Sequence, residues 1–161
     1  MNIIKKICSS IEWHYAHSVK LSLYKIAMPL KIKRVRKKRV INVLFVVTEL
    51  GPWKTRELYK AMLKHPRFNP ILGVSESREL PKAKIDLIRD LNRCHMDYVD
   101  LDVSPKSIFK KLSPDIIFYQ KPYESAYQPY LSYIQHLDSL FCYVYYAFRL
   151  GDVAWSINLP L

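Results

Sequence analysis

Glycine is scarce in this sequence: Gly51, Gly73 and Gly151 are the only three in 161 residues. Neither GxGxxG nor GxxxxGK[ST] is present, so the first strand-to-helix turn encodes no backbone cradle for a nucleotide's phosphates. GxSxG is missing as well, which removes the nucleophile elbow of an α/β-hydrolase. These absences exclude the common dehydrogenase, P-loop and hydrolase patterns, and the sequence calls for no cofactor. Cysteine is equally sparse. Cys8, Cys94 and Cys142 are odd in number and far apart, with no CxxC pair, so a reducing compartment is expected. Cys94 and His95 are adjacent, and His14 and His17 are three apart; neither pair makes a metal site by itself. The longest stretch free of Asp, Glu, Lys and Arg is residues 125–137, and it is rich in polar groups. A spanning helix needs ~20 mostly apolar residues, so none is expected. Lys5 and Lys6 would suit the start of a signal peptide, but Glu12, His14 and His17 interrupt the apolar core it requires.

What the chain has in quantity is hydrophobic residues, 50% of the total, and positive charge, +12 overall. That is enough apolar material for one packed core. The charge is uneven: residues 1–39 carry eleven Lys and Arg against Glu12 alone, while residues 40–161 carry fifteen bases and thirteen acids. Two parts are therefore expected, a basic leader over 1–39 and a nearly neutral domain over 40–161.

In the leader, Ile4, Ile7, Ile11, Tyr15, Val19 and Ile26 recur at helical spacing, with Ser22 interrupting the stripe. Pro29 is the expected end of this basic amphipathic helix. Then follow Lys31, Lys33, Arg34, Arg36, Lys37, Lys38 and Arg39, seven bases in nine residues. Such a run suits an anionic membrane surface, at roughly 1 kcal/mol per base near the headgroups. Nucleic acid phosphates would attract it too, but the run lacks interleaved aromatics for base stacking. A solvated tail is the third reading. The membrane surface is the favoured partner.

From Val40 the pattern changes. Residues 40–47 (VINVLFVV) are apolar except for Asn42 and read as a strand buried on both faces. A turn over 48–53 leads to a helix near 54–64, with Leu58, Tyr59, Met62 and Leu63 as its buried stripe. Further strands are expected near 69–74, 98–101, 114–119 and 140–145. Helices are expected near 81–93, with Ile85, Ile88 and Leu91 inward, and over 105–112 and 128–137. Strands alternating with helices imply βαβ units, so the fold class is α/β with a Rossmann-like parallel sheet.

Open parallel sheets bind ligands beyond the carboxyl ends of their strands. The first expected strand is followed there by Glu49, Trp53 and Lys54, the fourth by Gln120, Lys121, Tyr123 and Glu124, and the fifth by Tyr146. The first and fourth strands are expected to be neighbours near the sheet's centre. Residues 119–146 hold eight of the twelve tyrosines. Such a rim could stack on a sugar or a lipid-linked acceptor, with Lys54 and Lys121 on an exposed edge attracting phosphate. The same tyrosines could instead pack against neighbouring structure. Glu49 is a weak candidate for a general base; a cap or half of an ion pair is the plainer role.

Three segments together resemble the CDP-glycerol glycerophosphotransferase family, which makes teichoic-acid-like and capsular phosphopolymers in bacteria. Residues 43–54 (VLFVVTELGPWK), followed by Leu58, Tyr59 and Met62, resemble the family's strand, Glu, Trp-Lys pair and Leu-Tyr helix. Residues 113–123 (SPDIIFYQKPY) resemble its Pro-Asp-strand-Tyr-Gln-x-Pro-aromatic segment. Residues 143–148 (YVYYAF) resemble a Tyr-x-Pro-Tyr-Gly strand end, with Tyr145 in place of Pro and Ala147 in place of Gly. The resemblance implies the first half of a GT-B arrangement. On that basis the chain would be the amino-terminal, acceptor-side portion of a membrane-associated transferase, working at the cytoplasmic face with a CDP-activated donor. Trp53, Lys54, Gln120, Lys121, Tyr123 and Tyr146 would face a lipid-linked or polymer acceptor. A separate carboxyl-terminal domain would bind the donor, so turnover by this chain alone is not expected. The alternative is a non-catalytic, membrane-peripheral α/β binding module.

Overall fold

The computed structural model describes the backbone of residues 3–51 and 53–144, and side chains from residue 18 onward within that range, except at 124. A long helix α1 (Ile3–Lys37) comes first, followed by β1 (Ile41–Val47), α2 (Arg56–Leu63), β2 (Phe68–Val74), α3 (Ala83–Arg93), β3 (Val99–Asp100), α4 (Pro105–Leu112), β4 (Ile116–Tyr119) and β5 (Leu140–Tyr143). The strands form one five-stranded sheet in the order β3-β2-β1-β4-β5, parallel at every pairing. This is the expected α/β, Rossmann-like arrangement, with β1 and β4 adjacent at its centre.

The core follows from the two-residue period of β1. Val43, Phe45 and Val47 enter one cluster with Tyr59 of α2, Leu87 and Leu91 of α3, and Val35 of α1. Leu44 and Val46 enter the other with Leu101, Phe109 of α4, Ile117 of β4 and Leu131. Every one of these β1 side chains is at most 1% exposed. Each contributes about 1.5–3 kcal/mol of burial, the return that permits an unbroken apolar strand. Gly73 in β2 is required by close packing: a Cβ there would lie 2.8 Å from Leu101 Cδ1 and 2.9 Å from Leu44 Cδ1.

Four local expectations are corrected. α1 does not end at Pro29 but continues to Lys37. The hydrogen bond lost at Pro29 is offset by docking on both sides of it: Tyr24 and Val35 are buried, and Tyr24 stacks on Phe141 of β5 at 4.9 Å. In α2, Leu58 and Leu63 are exposed, and the helix buries Tyr59 and packs Met62 against the core. In α3, Leu87 rather than Ile85 faces inward; Ile85 is 62% exposed. The expected helix over 128–137 is instead two 3₁₀ turns, Pro129–Leu131 and Tyr133–Gln135. Between them Ser132 has φ −56° and ψ 130°, which breaks helical continuity. The backbone bonds Leu131 N to Gln128 O and His136 N to Tyr133 O close three-residue turns. Side chains take further carbonyls, with Gln135 on Pro129 O and the His136 ring on Tyr130 O.

Candidate functional site

The carboxyl ends of β1, β4 and β5 form one polar edge. Gln120, directly after β4, reaches across to the end of β1. Its Oε1 accepts from the Thr48 backbone N–H at 2.8 Å, the Thr48 hydroxyl at 3.1 Å and the Glu49 N–H at 3.3 Å. Its Nε2 donates to the Glu49 carbonyl. Gln120 is thus a bracket between two strand ends rather than a side chain turned to solvent, and it is buried.

Lys121 follows. Its ammonium pairs with Glu49 Oε1 and, at 2.6 Å, with Glu79 Oε2. Burial lowers its pKa, but the two carboxylates outweigh that and hold it above the ordinary lysine value. The lysine is not on an exposed edge: its side chain is 17% exposed and Glu49's 13%. Glu49 is therefore half of a largely buried ion pair. Tyr127 braces the same loop, accepting from Lys121 N–H and donating to Lys121 O at 3.1 Å. Burial raises its pKa.

Trp53 is buried in the first core cluster beside Tyr59, with the Arg56 guanidinium 5.5 Å from its ring. Lys54 lies 4.9 Å over the Tyr143 ring of β5, donating to Tyr143 Oη at 3.2 Å and to Val144 O at 3.3 Å. Desolvation lowers its pKa. Tyr123 is 49% exposed. Of the expected acceptor-side residues, the fold thus gathers Lys54, Gln120 and Lys121 with Glu49 on one edge. It sinks Trp53 into the core and leaves Tyr123 facing out. Tyr146, and the 145–148 part of the third resembling segment, lie outside the described residues.

Among the described tyrosines of the rim, Tyr119, Tyr127 and Tyr130 are tied inward. Tyr119 donates to Leu131 O at 2.9 Å, and Tyr130 belongs to a second polar cluster at the ends of β2 and β3. There Asp102 accepts from Tyr130, from Ser75 Oγ at 2.9 Å, from the Glu76 N–H at 2.9 Å and from Lys84 Nζ at 2.6 Å. Lys84 also holds Asp100 at 2.7 Å. Burial raises the Asp102 pKa, but those four donors outweigh it and hold the carboxyl below its ordinary value. Ser75, Lys84, Asp100, Asp102 and Glu79 are not among the sequence candidates, and Tyr130 is one only as a member of the tyrosine rim. Ser75 and Asp102 had a signal, since each sits just past a strand, where Glu49 and Gln120 were found. Glu79 had none, lying in a loop without periodicity.

At the opposite, amino-terminal end of the sheet, the polybasic run joins the domain. Lys31 donates to Leu137 O, Arg34 to Asp138 O at 2.9 Å, and Lys38 pairs with buried Asp115 at 2.6 Å. Desolvation lowers the Lys31 pKa against the pull of Asp138. Lys33, Arg36, Lys37 and Arg39 are exposed.

Among the described residues no cluster of His, Cys, Asp and Glu could hold a metal ion, and no helix is long and apolar enough to cross a membrane. The side chains of His14 and His17 lie outside that description. Comparison of the chain with family models, curated proteins and solved structures finds no match.

Proposed function

We propose that this chain is the acceptor-side, Rossmann-like portion of a membrane-associated transferase of cell-surface polymer synthesis, resembling CDP-glycerol glycerophosphotransferases. In this reading a CDP-activated donor is held by a separate domain, and the chain lies at the cytoplasmic face of the bacterial membrane. The supporting observation is the pairing of the β1 and β4 loops through Glu49 and Lys121, on the same sheet edge where Lys54 meets the end of β5. An ammonium group offers phosphate a point charge. A carboxylate in the same cluster could take a proton from an acceptor hydroxyl, once the phosphate had drawn Lys121 away from it. The acceptor would be a lipid-linked or polymeric polyol phosphate.

Calorimetric titration of the full chain with poly(glycerol phosphate) oligomers tests this. Saturable binding that exceeds binding of uncharged polyols is expected, together with no release of CMP from CDP-glycerol by the chain alone. Equal affinity for uncharged polyols, or robust CMP release, would contradict it.

One observation favours the second reading, a non-catalytic binding module. Gln120 is spent on the Thr48 and Glu49 backbone and the Thr48 hydroxyl, and Lys121 on two carboxylates, which is what a structural bracket looks like. Lack of oligomer binding with an intact fold would select that reading.

A further inference from the structure

Over residues 18–37, where its side chains are described, helix α1 has two apolar faces and the domain covers one. Tyr24, Lys31 and Val35 turn toward β5 and the core. Val19, Leu23, Ile26 and Leu30 are left 42%, 60%, 75% and 72% exposed. At 3.6 residues per turn these four fall in one narrow stripe about 16 Å long, roughly 130° around the helix from the docked face. A run of four large aliphatics in water on one helix face is more than scattered surface apolarity. Lys33 and Lys37, both exposed, continue the line of the stripe one and two turns beyond Leu30. No Asp or Glu occurs between Glu12 and Glu49.

We propose that this outward stripe inserts into the headgroup–acyl boundary of an anionic membrane, with Lys33 and Lys37 at the headgroups. The charge selects this occupant. Nine bases and no acid lie over residues 18–39, so a second copy of the same helix would bring like charge against like charge, whereas anionic lipid brings the opposite sign. Lys31, Arg34 and Lys38 take another role: they are struts that hold the helix on the domain. Attachment is therefore amphipathic, not only electrostatic. This inference rests on the membrane-peripheral part of the proposed function and is independent of the transferase part.

The experiment is flotation of the full chain with vesicles of phosphatidylcholine and phosphatidylglycerol in equal parts. It compares wild type with the double variants Leu23→Asn/Ile26→Asn and Lys33→Gln/Lys37→Gln, with melting curves and sedimentation alongside. The apolar variant is expected to bind at least about tenfold more weakly while melting like wild type, because both positions are exposed. Wild-type binding is expected to weaken, but not vanish, in high salt. Undiminished binding by the apolar variant overturns insertion and leaves the electrostatic reading standing. Absence of wild-type binding overturns both. A wild-type dimer that the apolar substitutions make monomeric, with vesicle binding unchanged, assigns the stripe to a second copy and also overturns the inference. Ile26→Trp provides a check that keeps the face apolar: brominated lipid should quench its added emission, and unquenched emission on bound protein contradicts insertion.

Discussion

The Gln120 side-chain oxygen lies 2.8 Å from the Thr48 backbone nitrogen, so the loops after β4 and β1 are joined by a side chain where the ladder between those strands ends. The bracket satisfies the N–H groups of Thr48 and Glu49 as the chain leaves the sheet. Replacing Gln120 with Ala would strand buried donors. An unsatisfied buried group costs about 1–3 kcal/mol, and Gln120→Ala is expected to destabilise by roughly that amount in urea unfolding. A change below about 0.5 kcal/mol, the range of ordinary surface substitutions, would show that the bracket is idle.

Docking of α1 makes a second prediction. Tyr24 stacks on Phe141 and its hydroxyl accepts the Phe141 N–H at 3.2 Å. Tyr24→Ala should cost about 3 kcal/mol, as truncation of a buried aromatic does. Tyr24→Phe should cost about 1 kcal/mol, the value of one hydrogen bond. Full stability in Tyr24→Ala would mean that the helix is not held on the domain.

Much of the fold is legible in the amino-acid sequence, and the exceptions have specific causes. The unbroken apolar run at 43–47 announces a central strand, and Pro105 marks the first residue of α4. Pro29 misleads because a proline's cost is local, whereas the contacts that outweigh it come from β5 and the residues before it, distant in sequence. Ile85 misleads because Ile85, Ile88 and Leu91 fit a helical stripe as well as Leu87, Ile88 and Leu91 do. The candidate edge is found by its position past the strand ends, but position says nothing about what already occupies a side chain. Lys121 reads as an open charge in the sequence, yet Glu79 reaches it from a loop 42 residues earlier.

That placement changes the expectation for Lys121. As an exposed charge it would be nearly neutral to remove, but in its actual setting Lys121→Ala leaves Glu49 and Glu79 facing each other. A loss of about 1–2 kcal/mol is expected at neutral pH, after allowance for partial solvent screening. Its raised pKa also sets a direction. The stabilisation is fully present below the unfolded lysine pKa and is lost as pH rises through the folded one. Wild type should therefore lose stability in strong alkali over a range where Lys121→Met is flatter; parallel curves would refute the coupling.

His136 gives a prediction on the acid side. Its ring stacks on Phe109 at 4.0 Å, and burial lowers its pKa against the pull of the Tyr130 carbonyl. The unfolded chain then binds the proton more readily, so stability is unaffected well above the ordinary histidine pKa and falls as pH drops below it toward the folded value. Melting temperature should decline on acidification through this window in wild type and decline less in His136→Phe. The same slope in both would place the titration elsewhere.

The proposed contact of a phosphate-bearing acceptor with the β1–β4 edge can be mapped residue by residue. Backbone amide shifts of the isotopically labelled full chain would be followed as poly(glycerol phosphate) oligomers are added. Saturable shifts are expected at Glu49, Lys54 and Lys121, with affinity lost in Lys54→Ala while the melting temperature stays within a few degrees of wild type. Saturable shifts confined to the α1 bases, or unchanged affinity in Lys54→Ala, would contradict it.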